Sequence, residues 1–400
     1  VAALLLALAP LAAAEDGTRL GTLIRWYLHE TSPARRQDLL EAIERLAAGD
    51  PRPVADAIRA GEHCEFAPRP ELRKGGKPPV FDLRRPRLVD VAECAGDFAE
   101  LVLPTDYTPS RAHPLIVELA PTGLDTPPAT ILLRVHAENH PQAKTSAEVS
   151  DLLVLSLVAH VTEIARVDAD RVFLHAASGR SAAALAWAVA LHNPDRFAGL
   201  LAGPGGWKGG GAVAPNAAFF SSIAVIEDKD ERDPFLAAVR KANDTHVTLR
   251  ADNREENRRA VEAWWERTAR PAAPGRIRVV QDRGLPMRAY WLRVVPRVPS
   301  LKQEEVGRGW SHRVVAQDAT LEAQIAARDF VTVRAERVTA FDLFLDPALL
   351  EPGGVVRVQI NGQVPEARVA RGDIGTLLED YRDRRDPGLL YWGKLTFTVR

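Results

Sequence analysis

Apolar positions recur along this chain with two periods, and the switch between them divides it. From residue 17 to 61 they fall at helical spacing, as at Leu39, Leu40, Ile43 and Leu46. Gly49-Asp50-Pro51 breaks the helical run, and Pro53 can start the next helix. Residues 66 to 86 hold prolines, basic residues and Gly75-Gly76, and read as a linker or irregular arm. Leu88 to Glu93 and Phe98 to Leu103 then read as two strands around the turn Ala95-Gly96-Asp97.

Short apolar runs alternate with helical segments from there on. Strands are predicted at Leu115 to Leu119, Thr130 to His136, Val172 to His175, Gly199 to Ala202, Ile223 to Ile226 and His246 to Arg250. Helices are predicted near 147 to 165, 181 to 192, 234 to 242 and 255 to 268. Such alternation implies an α/β fold, with a mostly parallel, doubly wound sheet whose functional groups gather at the carboxyl ends of the strands.

The texture changes again after Pro271. Arg276 to Val280, Ala289 to Val295, Glu322 to Ala327, Val331 to Glu336 and Thr339 to Leu345 run apolar or alternate. Val355 to Ile360, Asn361-Gly362 and Val364 to Val369 spell a hairpin, and Leu395 to Val399 closes the chain. A C-terminal all-β, sandwich-like module is expected. The division expected is therefore 1 to 14, 15 to 85, 86 to 270 and 271 to 400.

Composition alters little of this picture. With 46% hydrophobic and 26% charged residues the 400-residue chain is globular, and two or three domains suit its length. A net charge of −1 offers no field for nucleic acid or an anionic membrane. Of 52 basic residues only eight are lysine, but the arginines interleave with acids instead of clustering. Val1 to Leu11, followed by Ala12-Ala13-Ala14 and Glu15-Asp16, reads as a signal peptide cleaved after Ala14. Its missing charged n-region and the opening Val1 fit a truncated or misassigned start. The run is too short to span a bilayer, so export and no transmembrane segment are expected. Cys64 and Cys94 suit an oxidising compartment and are expected to form a disulfide.

The most informative stretch is Asp168 to Trp207, which reads strand, sharp turn, small-residue helix, a His-Asn-Pro-Asp-Arg-Phe exit and a further strand. It resembles the α/β-hydrolase superfamily, in particular secreted esterases and prolyl-oligopeptidase-like proteins, over residues 86 to 270. That resemblance implies a G-x-S-x-G elbow that lifts a serine nucleophile clear of the sheet. The matching residues are Ala176-Ala177-Ser178-Gly179-Arg180, with Ser178 as the nucleophile. Arg180 stands where the second glycine would leave room for the turn. An alternative register places Ser181 in Gly179-Arg180-Ser181-Ala182-Ala183.

The remaining stations depart from the family in the same way. The oxyanion loop corresponds to Ala120-Pro121-Thr122-Gly123, where proline supplies no N–H, so Thr122, Gly123 and Gly179 are the candidates. The triad acid corresponds to Asp230 in Glu227-Asp228-Lys229-Asp230. The base should follow the next strand, where the chain reads Asp252-Asn253-Arg254-Glu255-Glu256 without histidine. His246 lies at the wrong end of that strand, His312 lies beyond the expected helix, and His175 sits on the elbow strand itself. A serine without a positioned base is a weak nucleophile. An exported hydrolase-fold protein with a degraded triad, working as a binding or scaffold protein, is therefore expected. The alternative is a working serine hydrolase that uses Ser178 on ester or peptide bonds.

No cofactor or metal is expected. The glycines from Gly203 to Gly211 lack the Lys-Ser/Thr of a phosphate loop, and the acids Glu227, Asp228, Asp230, Glu231 and Asp233 lack EF-hand spacing. Trp207, Trp264, Trp265, Trp291 and Trp310 could stack on a small-molecule, peptide or carbohydrate ligand, although most tryptophans are core. No protein partner or nucleic acid is indicated.

Overall fold

The computed structural model describes residues 16–66, 80–82, 99–119, 129–135, 147–176, 180–204, 211–227, 230–282, 287–296, 300–306, 309–315, 318–350 and 353–399. Three helices open it: α1 (Asp16–His29), α2 (Pro33–Leu46) and α3 (Pro51–Ala60). The break at Gly49-Asp50 lies where expected, but the next helix starts at Pro51, not Pro53. Asp50 caps it by accepting from Arg52 N at 2.9 Å, and a proline at N1 loses nothing because its N–H would have had no helical partner.

Next comes an eight-stranded sheet: β1 (Val80–Asp82), β2 (Ala99–Val102), β3 (His113–Leu119), β4 (Ile131–Val135), β5 (Val167–Ala176), β6 (Gly199–Ala202), β7 (Ser221–Ile226) and β8 (His246–Arg250), in the order β1-β2-β4-β3-β5-β6-β7-β8. β1 and β2 are antiparallel to each other, β2 is antiparallel to β4, and all pairs from β4 to β8 are parallel. The strand at 80–82 corrects the reading of 66 to 86 as a linker, while the strand expected at 88 to 93 lies outside the described residues. Crossovers use α4 (Ala147–Ile164), α5 (Arg180–His192), a 3-10 helix (Gly211–Phe219) and α6 (Pro234–Ala242), and α7 (Arg254–Arg267) follows the last strand. One face of the sheet packs on α4, α5 and α6 through residues such as Leu174, Ala183 and Trp187. The other packs on α7 through Phe173, Leu201, Trp264 and Trp265. This is the doubly wound, mostly parallel sheet that the strand alternation implied.

The C-terminal part holds β9 (Arg276–Gln281), β10 (Met287–Ala289), β11 (Leu292–Pro296), β12 (Ser300–Val306), β13 (Gly309–Val315), β14 (Ala319–Ala327), β15 (Phe330–Glu336), β16 (Val338–Phe344), β17 (Val355–Ile360), β18 (Glu366–Val369) and β19 (Lys394–Thr398). Five strands, β18-β17-β15-β14-β9, and four, β10-β11-β16-β19, enclose one apolar core in a sandwich-like module. Two elements there were not anticipated: the β12–β13 hairpin, and α8 (Ile374–Arg384) inside a region read as all β. α8 leaves the β core and joins Leu23, Ile24, Ile43, Val54 and Ile58 of the opening helices in a separate helical core. Both ends of the chain therefore build one layer.

Candidate functional site

In a parallel sheet the strand direction decides which edge carries the site-bearing loops. β3, β5, β6, β7 and β8 end together at Leu119, Ala176, Ala202, Ile226 and Arg250. β5 stops at Ala176 and α5 starts at Arg180, so three residues connect them. Ser178 is the middle one by number. Residues 177–179, with Ser178 and Gly179, lie outside the described residues, as do Thr122, Gly123 and Trp207. Small residues let α5 approach the sheet: Ala183, Ala186 and Ala190 are fully buried against it. Ser181, on the first turn of α5, is exposed and has no hydrogen-bond partner among the described residues.

Asp230 follows β7 as the resemblance implied and is buried. Its Oδ2 accepts from Glu227 N at 3.2 Å, and its own N–H donates to Glu227 O at 2.9 Å, which closes the turn. Asp233 in the same acidic run caps α6, accepting from Phe235 N at 2.8 Å. These bonds give the acids a local structural task. Among the described residues no group of three or more His, Cys, Asp or Glu is arranged to hold a metal ion.

At the carboxyl end of β8 stands Arg250. It donates to Glu231 Oε1 at 2.7 Å and lies 3.7 Å from Asp252 Oδ1, while its carbonyl accepts from Asn257 Nδ2 at 2.6 Å. Asn253 donates to Glu256 Oε2 at 3.2 Å. An arginine salt-bridge cluster thus occupies the position at which a base was sought. Among the described residues no histidine is bonded to Asp230.

His175 is on β5 but faces α7, one position before the strand ends. It belongs to a row of charges across four strands. Register puts Glu100 opposite Arg134, Arg134 beside Glu118, and Glu118 beside His175. Arg134 is 3.6 Å from Glu100 and 3.3 Å from Glu118, and His175 Nδ1 is 3.8 Å from Glu118. The last distance is too long for a hydrogen bond. Burial pushes the imidazole's pKa below its ordinary value, although Glu118 pulls it up. A neutral ring held edge-on to Trp265, 6.4 Å between centroids, is a packing residue and a weak base. Neither Glu118 nor Arg134 was singled out from the sequence. The signal was there in the register, since Glu118 and His175 each interrupt an apolar strand.

His246 begins β8, at the opposite edge. Its Nδ1 is 2.8 Å from Ser222 Oγ, which also accepts from Asn243 Nδ2 at 3.1 Å. This is a serine–histidine contact, but the group beyond the ring is Thr248, at 3.3 Å, instead of a carboxylate. Burial, with Arg240 nearby, lowers its pKa to about 4. The remaining expectations resolve similarly. Trp264, Trp265 and Trp291 are buried core residues. Cys64 is a free thiol whose Sγ lies 3.3 Å from His63 Nε2 and 3.8 Å from Thr162 O; burial pushes it up to about 12. Cys94 lies outside the described residues, so no bond between the two cysteines is described. His136 and His140, which follow β4 in the chain, also lie outside them, and the sequence reading weighed neither as a base.

No protein-family model matches this chain, and no curated protein matches it. Solved structures do. A thermostable esterase aligns at 14% identity and TM-score 0.36, over 48% of this chain and 64% of that one. A putative dipeptidyl aminopeptidase IV from Bacteroides ovatus aligns at 11% identity and TM-score 0.33, over 42% of this chain and 33% of that one. The feruloyl esterase module from Clostridium thermocellum, an S954A mutant complexed with sinapinate, aligns at 9% identity and TM-score 0.33, over 47% and 87%. The chain thus spans less than two thirds of the first two. Its strand order, its parallel run and the three-residue step from β5 to α5 make it α/β-hydrolase-like in fold.

Proposed function

We propose that this chain is an exported α/β-hydrolase-fold protein whose triad has decayed and which acts by binding, as a scaffold or receptor for a small molecule, peptide or carbohydrate. One observation carries the reading: Arg250, fixed by Glu231 and Asp252, stands at the carboxyl end of β8, the strand after which a triad base was sought. A guanidinium stays protonated in proteins and cannot accept the proton of a serine. The unit for this role is residues 86 to 270, with 271 to 400 appended and residues 1 to 14 removed on export.

A second reading has its own support. The three-residue β5–α5 step is short enough for an elbow, and Ser178 is its middle residue. In that case Ser178 attacks an ester or peptide carbonyl, Thr122, Gly123 and Gly179 line the oxyanion site, and Asp230 orients a base. The test is a fluorophosphonate probe on the purified chain and on Ser178→Ala. The binding reading expects no labelling of either protein. Labelling that Ser178→Ala abolishes would establish the hydrolase, and labelling that moves to Ser181 would establish it in the other register.

A further inference from the structure

A cleft of about 590 Å3 opens between the 3-10 helix, α6 and β9. Chain direction places it at the amino edge of the sheet, away from the β5–α5 turn. The 3-10 helix ends at Phe219 just before β7, and α6 runs back to Ala242 just before β8. The floor is apolar, with Ala214, Pro215, Ala218 and Phe219 on one side and Ala238 and Ala242 on the other. Pro271 and Pro274, each with its φ fixed by the ring, wall it.

The rim is cationic. Lys241, Arg276 and Arg278 line the cleft, and among the described residues no acid does. Arg276 and Arg278 stand two residues apart on β9 and so share a face, while Ile277 and Val279 point into the β core. Glu322 lies directly across from Arg278 in the strand register, yet its carboxylate accepts from Arg276 at 2.9 Å. Arg278 and Lys241 are exposed and have no side-chain partner among the described residues.

An inorganic anion would leave the apolar floor wet, and a neutral hydrocarbon would bring nothing to the two cations. A ligand with an aliphatic chain and a terminal carboxylate satisfies both. The volume lies within the usual range for small-molecule sites, and a guanidinium can grip a carboxylate through two parallel bonds. We propose that this cleft binds a linear aliphatic carboxylate, its chain along the alanine–proline floor and its head at Arg278 and Lys241. Occupancy is independent of the state of Ser178, because the carboxyl end of β5 at Ala176, two residues before it in the chain, is the opposite edge of the sheet.

The test is displacement of a fluorescent fatty-acid reporter from the full chain by dodecanoate, hexanoate and dodecanol, each below its micellar concentration. Saturable binding of one dodecanoate is expected, with dodecanol and hexanoate each weaker by about tenfold or more. Arg278→Gln should weaken dodecanoate by about tenfold, the scale of a charge-assisted hydrogen bond. Ala218→Trp, at an exposed position of the lining, should remove binding, and both variants should melt with the parent. Ser178→Ala should bind as the parent does. Absence of saturable binding, equal affinity for dodecanol, parental affinity in both cleft variants, or loss of binding in Ser178→Ala would each overturn the assignment.

Discussion

Three buried or half-buried histidines, His63, His175 and His246, are pushed towards the neutral form. Burial, with Arg385 and Arg25 nearby, pushes His63 down to about 3; burial with Arg240 brings His246 to about 4; burial also lowers His175. In the unfolded chain all three would protonate near pH 6.5. Between that value and the folded values the unfolded state takes up protons that the folded state refuses, so stability rises with pH across the interval. We expect the urea midpoint to be level above about pH 7 and to fall as the pH drops from about 6.5 towards 4. A midpoint that holds down to pH 5 would mean that these rings protonate inside the fold. The place of Asp230 just after β7 was legible in the sequence because the strand anchor before it is strong. That His246 lies at the wrong end of its strand was legible too, but the partners of His175 and His246 were not. A strand position fixes which face a side chain takes, whereas its partners, Glu118 in one case and Ser222 in the other, come from strands far away in the chain.

At the scale of elements, strands and helices of the sheet were read closely because each apolar run is short, strongly patterned and ended by a turn residue. The Asn361-Gly362 hairpin shows why. Both residues have positive φ, 50° and 74°, as a two-residue turn requires, and the chemistry that allows this is visible in the sequence. α8 was missed because its apolar positions, Ile374, Leu377, Leu378 and Tyr381, match helices more than 300 residues earlier. Its start is local all the same: Asp373 accepts from Gly375 N at 3.2 Å and from Thr376 N at 2.7 Å. Asp373→Ala should cost about 1 kcal/mol in urea unfolding. Gly199 is the tighter constraint. A Cβ there would clash with the Trp264 ring, which crosses β6 to donate to Ser221 Oγ at 2.7 Å. Gly199→Ala should destabilise by about 1–3 kcal/mol, the range for overpacking, with a change in near-ultraviolet circular dichroism from the displaced indole. An unchanged spectrum would mean that the sheet absorbs the methyl group without moving α7.

The whole molecule is joined at one cluster in which three buried guanidiniums meet two buried carboxylates and an exposed one. Arg270, at the end of the sheet region, grips Asp386 of the C-terminal segment through both carboxylate oxygens at 2.5 and 3.0 Å, and also holds Asp170 at 2.8 Å. Arg384 donates to Asp195 at 2.8 Å, and the same carboxylate accepts from Tyr290 N at 2.6 Å in the β module. Arg196 lies 3.5 Å from Asp386 and donates to Arg384 O at 2.6 Å. One cluster thus ties the parallel sheet, the sandwich and the segment after α8. Burial alone would raise the Asp386 carboxyl, but Arg270, Arg196 and Arg384 together hold it well below the usual carboxylate range. Its contribution to stability is therefore present above about pH 4, the unfolded value, and is lost as the pH falls further towards the depressed folded one. Removing that charge leaves buried guanidiniums unmatched, which costs far more than a surface pair. Asp386→Asn should destabilise the chain by about 3–5 kcal/mol. Asp170→Asn loses a carboxylate that is 57% exposed and should cost about 1 kcal/mol or less. If urea unfolding gave equal losses for the two variants, desolvation would not be what makes the junction strong. If Asp386→Asn instead unfolded in two separate transitions, the cluster would be what makes the sheet and the sandwich fold as one unit.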